Sequence, residues 1–333
     1  MGRDARRWSD GGVQRSTQSW IYSAKRKNCV SPTKRTRRLE RKGRILQKID
    51  EKLGKMRLAI EASLQELVDS LGERTSLRDA IGYSLLSEGK RLRPLLLLLV
   101  SEALGKGYDA MPAALAVECF HSASLIADDL PCMDNEKERR GLPCVHHIYP
   151  ESVTILASYT LISLGYEYIH KNAARLPLEK EAKSAIGMRA LATVTQAAGI
   201  FGATNGQFLD LFPPDQSLGT IEMIMEQKTV TLFTISCVCG WLFGGGEKRR
   251  LAQVEKLAYH LGKAFQIRDD LLDLAEDLPG EKNSNFATLL GKEKARQHLE
   301  ENLLRFSALL EELEIATPEL LFLAQRLQEV PVT

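Results

Sequence analysis

From Ile45 onward, apolar residues recur every three or four positions. Ile45, Ile49, Leu53, Met56, Ile60, Leu64 and Leu67 form the first such stripe, the spacing that lines up side chains on one face of an α-helix. Similar stripes run through 78–88, 94–104, 111–128, 151–174, 181–210, 219–243, 248–276, 291–313 and 317–328. Alternating Val/Ile/Thr runs between turn residues, the mark of hairpins, are nearly absent. The pattern predicts an all-α protein of about ten helices in a single large bundle. The most apolar stretch, 229–246, is bounded by Lys228 and Glu247 and broken by Thr, Ser and Gly. It falls short of the roughly 18 uninterrupted apolar residues that a membrane span needs, so a buried core helix is expected.

Residues 1–44 show no apolar period. They contain Gly11-Gly12, Ser31-Pro32 and 14 Lys/Arg against 3 Asp/Glu, and read as a disordered basic extension ahead of a domain at 45–333. The chain's net charge of +2 is thus a +11 extension joined to a −9 body. The extension fits a tail without function, an organellar transit peptide or a nucleic-acid arm. Without aromatic interleaving no nucleic-acid partner is expected. The 6 Cys are scattered, which favours reduced thiols and a cytoplasmic location, or a plastid or mitochondrion if the extension is a transit peptide. Cys237 and Cys239 read as small core residues on a helix, with no second pair nearby to complete a metal site.

Two acidic clusters carry the candidate chemistry, each after an apolar helix. The first is Asp128-Asp129-Leu130-Pro131-Cys132-Met133-Asp134. Pro131 cannot continue the helix, so the chain bends and Asp134 can fold back beside Asp128. The second holds Asp269, Asp270, Asp273 and Asp277. Asp269, Asp273 and Asp277, four apart, share one helix face about 40° from one to the next. Like charges stacked this way destabilise a helix unless neutralised. A hard divalent cation with oxygen ligands, such as Mg²⁺ held by one or two carboxylates and substrate phosphates, meets that need. A solvated acidic face is the plainer alternative, weakened by there being two clusters. Basic residues stand at element boundaries: Lys90, Arg91 and Arg93 in GKRLRP, Arg139-Arg140-Gly141, and Lys228-Thr229. There, side chains and free helix N–H groups can hold phosphate. Carboxylates for Mg²⁺ and cations for phosphate, in an apolar bundle, point to a diphosphate with a hydrocarbon tail.

These motifs resemble those of the trans-isoprenyl diphosphate synthases, in particular the short-chain farnesyl and geranylgeranyl diphosphate synthases, over about 45–330. The matches are GKRLRP at 89–94, DDLPCMDNEKERRG at 128–141, GQFLD at 206–210, Lys228-Thr229, and FQIRDDLLD at 265–273. The resemblance implies the isoprenoid synthase bundle with a central apolar cavity. It implies Mg²⁺, three ions per site with Mn²⁺ as an alternative, at Asp128, Asp134 and Asp269, with Asp129, Asp270 and Asp273 beside them as catalytic carboxylates. It implies that Arg139, Lys228, Thr229 and Gln266 contact an allylic diphosphate and that Lys90, Arg93, His121 and Arg140 hold isopentenyl diphosphate. On its own, His121 would read as a core or capping residue. The reaction so implied is ionisation of the allylic C–O bond, attack by the isopentenyl double bond, and loss of a proton to the departing pyrophosphate. A homodimer is implied as well.

Two departures from the family pattern stand out. The segment 277–286 is short and lacks the usual Tyr-Pro, so the customary phosphate-contacting Lys aligns with Asn283 or, one residue away, Lys282. Ala127 replaces a frequent His. Before Asp128, Ser124 and Ala123 lie one turn deeper at about 40° and 140°, and Phe120 two turns deeper at about 80°. In the family an aromatic at the Ala123 position stops growth at fifteen carbons. Alanine leaves room for a twenty-carbon product, geranylgeranyl diphosphate, with Phe120 as floor or as plain core packing. Farnesyl diphosphate synthesis and a catalytically silent subunit are the alternatives. A terpene cyclase would not need a second diphosphate site.

Overall fold

The computed structural model describes residues 34–276 and 285–328. The chain falls into two units, 1–47 and 48–333. Among the described residues are fourteen α-helical segments, two of them only four or five residues long. The sole strands there are the two-residue pair Glu138–Arg139 (β1) and Leu142–Pro143 (β2). Helix α1 spans Lys34–Asp69 and so begins inside the stretch expected to lack structure. Lys, Arg, Leu and Glu are strong helix formers, and they carry a helix across 34–44 without an apolar stripe to announce it. Ile45 is exposed, and buried packing begins at Ile49.

The next helices are α2 (Ser76–Leu85), α3 (Leu92–Ala103) and α4 (Met111–Asp128). Thr75 caps α2, its hydroxyl accepting from Arg78 N at 3.2 Å. Pro94 and Pro112 lie in the first turns of α3 and α4, where a missing N–H does no harm. After the short α5 (Val145–Ile148) come α6 (Glu151–Arg175), α7 (Lys180–Ala198), α8 (Ala203–Leu211) and α9 (Leu218–Ile224). A π-helical turn, Met225–Val230, leads into α10 (Thr231–Phe243). The remainder is α11 (Leu251–Glu276), α12 (Phe286–Leu290), α13 (Lys292–Glu312) and α14 (Pro318–Gln328).

Helix α10 is the expected buried core helix. Every residue from Ile235 to Phe243 is buried, Cys237 and Cys239 included, both as free thiols. A helix buried all round belongs at a bundle's centre, and α10 packs against α3, α4, α7 and α11. Its Trp241 N–H donates to Glu247 O at 3.0 Å, just beyond the helix end. A second apolar cluster joins α1, α2, α4 and α6. Helix α4 contributes to both clusters, which fixes its axial position and therefore that of the Asp cluster at its end. Among the described residues no helix is long and apolar enough to cross a membrane.

Candidate active site

The first acidic cluster is shaped by the turn that ends α4. Asp134 N donates to Asp128 O at 2.9 Å, Met133 N to Leu130 O at 2.9 Å, and Asn135 takes a left-handed φ of 52°. Pro131 thus breaks the helix and the chain returns over Asp128. The two neighbouring carboxylates differ. Asp129 is buried and takes the Arg139 guanidinium, with Nε 3.0 Å and 3.3 Å from its oxygens and Nη2 in closer contact. Arg139 leads into a two-residue turn, Arg140-Gly141, in which both φ values are positive, 56° and 74°. That geometry closes a tight hairpin, pairing Arg139 with Leu142, and accounts for the glycine at 141.

Asp128 lacks such a partner. Burial pushes its carboxyl up to about 7, against the pull of Lys228, and Asp134 and Asp129 add to the rise. Lys228 lies 2.6 Å from Asp210 and 3.8 Å from Asp134, and Gln207 Nε2 donates to Asp134 at 3.0 Å. These contacts depend on how closely α8 meets the π-turn. A Cβ on Gly206 would lie 2.4 Å from the Lys228 backbone nitrogen, so only glycine permits the approach. Asp210 and Gln207 of the GQFLD motif thus join Lys228 and Asp134, contacts between elements that the motif alone does not reveal.

The second cluster divides in the same way. Asp270 is buried: Gln266 Nε2 donates to it at 2.8 Å and Phe286 N at 2.9 Å, which ties α11 to the start of α12. Asp269 faces the cavity and burial raises it to about 6. Asp273, one turn on, is exposed and repels Asp269. Gln266 Oε1 accepts from Thr229 Oγ1 at 2.7 Å, so the KT and FQ motifs meet. Asp277, Lys282 and Asn283 lie outside the described residues.

Beside the second cluster opens a cavity of about 1100 Å³, whose lining includes Asp269 but not Asp128, Asp129, Asp134 or Lys228. Lys90, Arg93, His121, Arg139, Arg140, Thr229, Gln266 and Asp269 all line it. Eight sequence-selected residues therefore share one space. Arg93 is desolvated, which lowers it to about 10, and it lies over the rings of Phe233 and Phe265 at 5.1 and 5.7 Å. His121 is driven well down by burial and by four nearby arginines. Arg93 Nη1 and His121 Nε2 are 3.4 Å apart, whereas Arg93 Nε and His121 Nδ1 are buried without a partner. Converging, desolvated donors with orphaned N–H groups fit an anion.

The charged part of the cavity is open, but the depth positions are closed. Ala123 and Phe120 are 2% and 4% exposed. Phe120 lies against Gly165 of α6, where a Cβ would fall 2.5 Å from its ring, and meets Tyr166 edge-on at 5.2 Å. Ser158 Oγ donates to Ala123 O at 3.0 Å, and Ser124 Oγ to His121 O at 2.9 Å.

The carboxylates suit a divalent cation. Asp128 and Asp269 are each held in part-buried surroundings beside further acids and raised for that reason. Among the described residues no three His, Cys, Asp or Glu side chains gather closely enough to cage an ion unaided. Mg²⁺ does not require such a cage, because it takes one or two carboxylates and completes its shell with phosphate and water.

Comparison with known proteins agrees with this geometry. The polyprenyl synthetase family model matches residues 74–288. The chain is 36% identical over 270 residues to the farnesyl diphosphate synthase of Geobacillus stearothermophilus, covering 76% of this chain and 89% of that one. It is 35% identical over 255 residues to a chloroplastic geranylgeranyl pyrophosphate synthase of Capsicum annuum, covering 72% and 67%. A solved geranyltransferase from Legionella pneumophila superposes with a TM-score of 0.73 at 28% identity, covering 85% of this chain and 97% of that chain. The chain belongs to the polyprenyl synthetase family, as a head-to-tail prenyltransferase of the short-chain trans-isoprenyl diphosphate synthase type.

Proposed function

We propose that the protein condenses isopentenyl diphosphate with allylic diphosphates to give geranylgeranyl diphosphate, with Mg²⁺ as cofactor. The observation that carries this reading is the presence of two different diphosphate environments, with Arg139, Thr229, Gln266 and Asp269 on the cavity wall between motif residues of both. Asp128, Asp134 and Lys228 gather at the end of α4, and Asp269 lies on the cavity wall. Lys90, Arg93, His121 and Arg140 gather where Arg93 Nε and His121 Nδ1 lack partners. The first set suits an allylic diphosphate held with metal, and the second an isopentenyl diphosphate held directly by protein.

Mg²⁺, when bound, supplies charge that stabilises the departing pyrophosphate. The residues of the chain do the remaining work. Arg139 and Lys228 orient the leaving group and offset its developing charge. Arg93 and His121 hold the homoallylic diphosphate so that its double bond lies close to the reacting carbon. The apolar helices below exclude water, which would otherwise quench the allylic cation. Thr229 and Gln266, bonded at 2.7 Å, keep the allylic wall in register. The roles of Asp129 and Asp270 are positional, through Arg139 and Phe286.

Residue 123 is alanine, smaller than the aromatic that stops growth at fifteen carbons in the family, which favours twenty carbons over fifteen. Farnesyl diphosphate remains the second reading, favoured by how completely Phe120 and Ala123 are buried. Two copies of the chain would cover the apolar stripe that α6 exposes at Leu156, Tyr159 and Ile162. We place the protein in the cytoplasm, with 1–44 outside the catalytic domain. Incubating the purified protein with Mg²⁺, isopentenyl diphosphate and allylic primers of five, ten and fifteen carbons, then separating the dephosphorylated products, tests the reading. A twenty-carbon alcohol supports it, and a fifteen-carbon end product selects the alternative.

A further inference from the structure

Arg91 stands between Lys90 and Arg93 in GKRLRP, yet it is built differently from both. Arg91, Glu61 and Glu118 lie in the wall of the same cavity, but the Arg91 side chain itself is 0% exposed and each of its nitrogens has a partner. Nε and Nη2 reach the two oxygens of Glu61 at 2.7 and 3.1 Å, and Nη1 reaches Glu118 at 2.5 Å. Nη2 also donates to Leu85 O at 2.8 Å and Ser87 O at 2.7 Å. One guanidinium thus joins α1, the end of α2, and α4. Its backbone is left-handed, φ 48° and ψ 35°, at the residue before α3, a conformation that a non-glycine residue keeps only when its surroundings impose it.

Two consequences follow for the anion pocket. The left-handed turn at Arg91 sets the angle between Lys90, which precedes it, and Arg93, in the first turn of α3. The Arg91–Glu118 pair also fixes α3 against α4, and His121 stands one turn after Glu118 on α4. Glu118 in addition attracts Arg93 and Arg140, offsetting the mutual repulsion of the gathered cations.

We propose that Arg91, held by Glu61 and Glu118, is a positioning residue for the isopentenyl diphosphate subsite: it aims Lys90, Arg93 and His121 without touching substrate. This rests on reading that pocket as the isopentenyl diphosphate site. A salt network that merely stabilised the fold would lower the amount of active enzyme and leave both KM values unchanged. A positioning network raises KM for isopentenyl diphosphate selectively.

The test is steady-state kinetics on the full-length protein, varying each substrate in turn, with thermal unfolding alongside. Arg91→Gln and Arg91→Lys are both expected to raise KM for isopentenyl diphosphate about tenfold, the loss of one charge-assisted hydrogen-bond set. KM for the allylic substrate should stay within about threefold. Lysine should not rescue, because it cannot make the fork. Should the Arg91 variants fail to fold, Glu61→Gln, at a part-exposed position, is expected to raise the same KM by roughly threefold. Arg93→Gln is the control for the pocket itself. If Arg93→Gln raises KM for isopentenyl diphosphate and the Arg91 and Glu61 variants do not, the positioning role is overturned. If Arg93→Gln also leaves that KM unchanged, the assignment of the pocket is what fails.

Discussion

Arg139 grips both carboxylate oxygens of Asp129, with Nε at 3.0 and 3.3 Å, while Asp128, one residue earlier, has no such partner. Adjacent acids in one motif therefore have different surroundings, and different duties are the expected result. Asp128→Asn should lower kcat by about a hundredfold or more, because it removes a carboxylate where leaving-group charge must be met. Asp129→Asn should lower kcat about tenfold or less and raise KM for the allylic substrate, since it loosens the cavity-lining Arg139 and leaves Asp128 in place. Side-by-side kinetics of the two variants check this; equal losses in kcat would contradict it.

The raised carboxyls give a pH signature. Burial lifts Asp128 to about 7 and Asp269 to about 6, above the ordinary aspartate value. Between about pH 4 and pH 7 the native protein then holds protons that the unfolded chain has released, so stability falls as pH rises through that window. Without metal, the melting temperature should drop from pH 5 to pH 8. Mg²⁺ with inorganic pyrophosphate should restore it more at pH 8 than at pH 5, since binding favours the ionised acids. A metal-induced shift that is the same at both pH values would count against the assignment.

Product length should respond to α4. Ala123→Tyr is expected to shorten the product from twenty carbons to fifteen, and Phe120→Ala to lengthen it. Phe120 is almost fully buried against Gly165 and Tyr166, so Phe120→Ala should also cost about 3–5 kcal/mol of stability. Chromatography of the dephosphorylated products decides. Unchanged products from both variants would mean that this helix does not set the depth.

The exposed stripe on α6 should be an interface between two copies. Tyr159, 64% exposed, is the outermost member, and Tyr159→Glu should shift the protein from dimer to monomer by light scattering. A wild-type monomer at micromolar concentration would exclude the dimer.

Most of the bundle could be read from periodicity, because helices that bury one face carry it in the sequence. Residues 34–44 could not, since their helix rests on backbone propensity rather than on an apolar stripe. The Asp motifs announced themselves by charge where charge is costly. What they did not announce was the division of labour, because Asp129 and Asp270 differ from Asp128 and Asp269 only in their partners. Those partners come from distant positions: Arg139 across a turn and Phe286 across the 277–284 segment. The Arg91 network was hidden for a similar reason, since Glu61 and Glu118 lie on helices far from GKRLRP in sequence and carry no motif of their own.

The most direct measurement of the central claim is turnover by the purified full-length protein on isopentenyl diphosphate and an allylic primer, with Mg²⁺ and again with chelator. Condensation to a prenyl diphosphate of up to twenty carbons, abolished by chelator and by Asp128→Asn, is the expected result. No condensation with any allylic primer in the presence of Mg²⁺, from a folded protein, would contradict it.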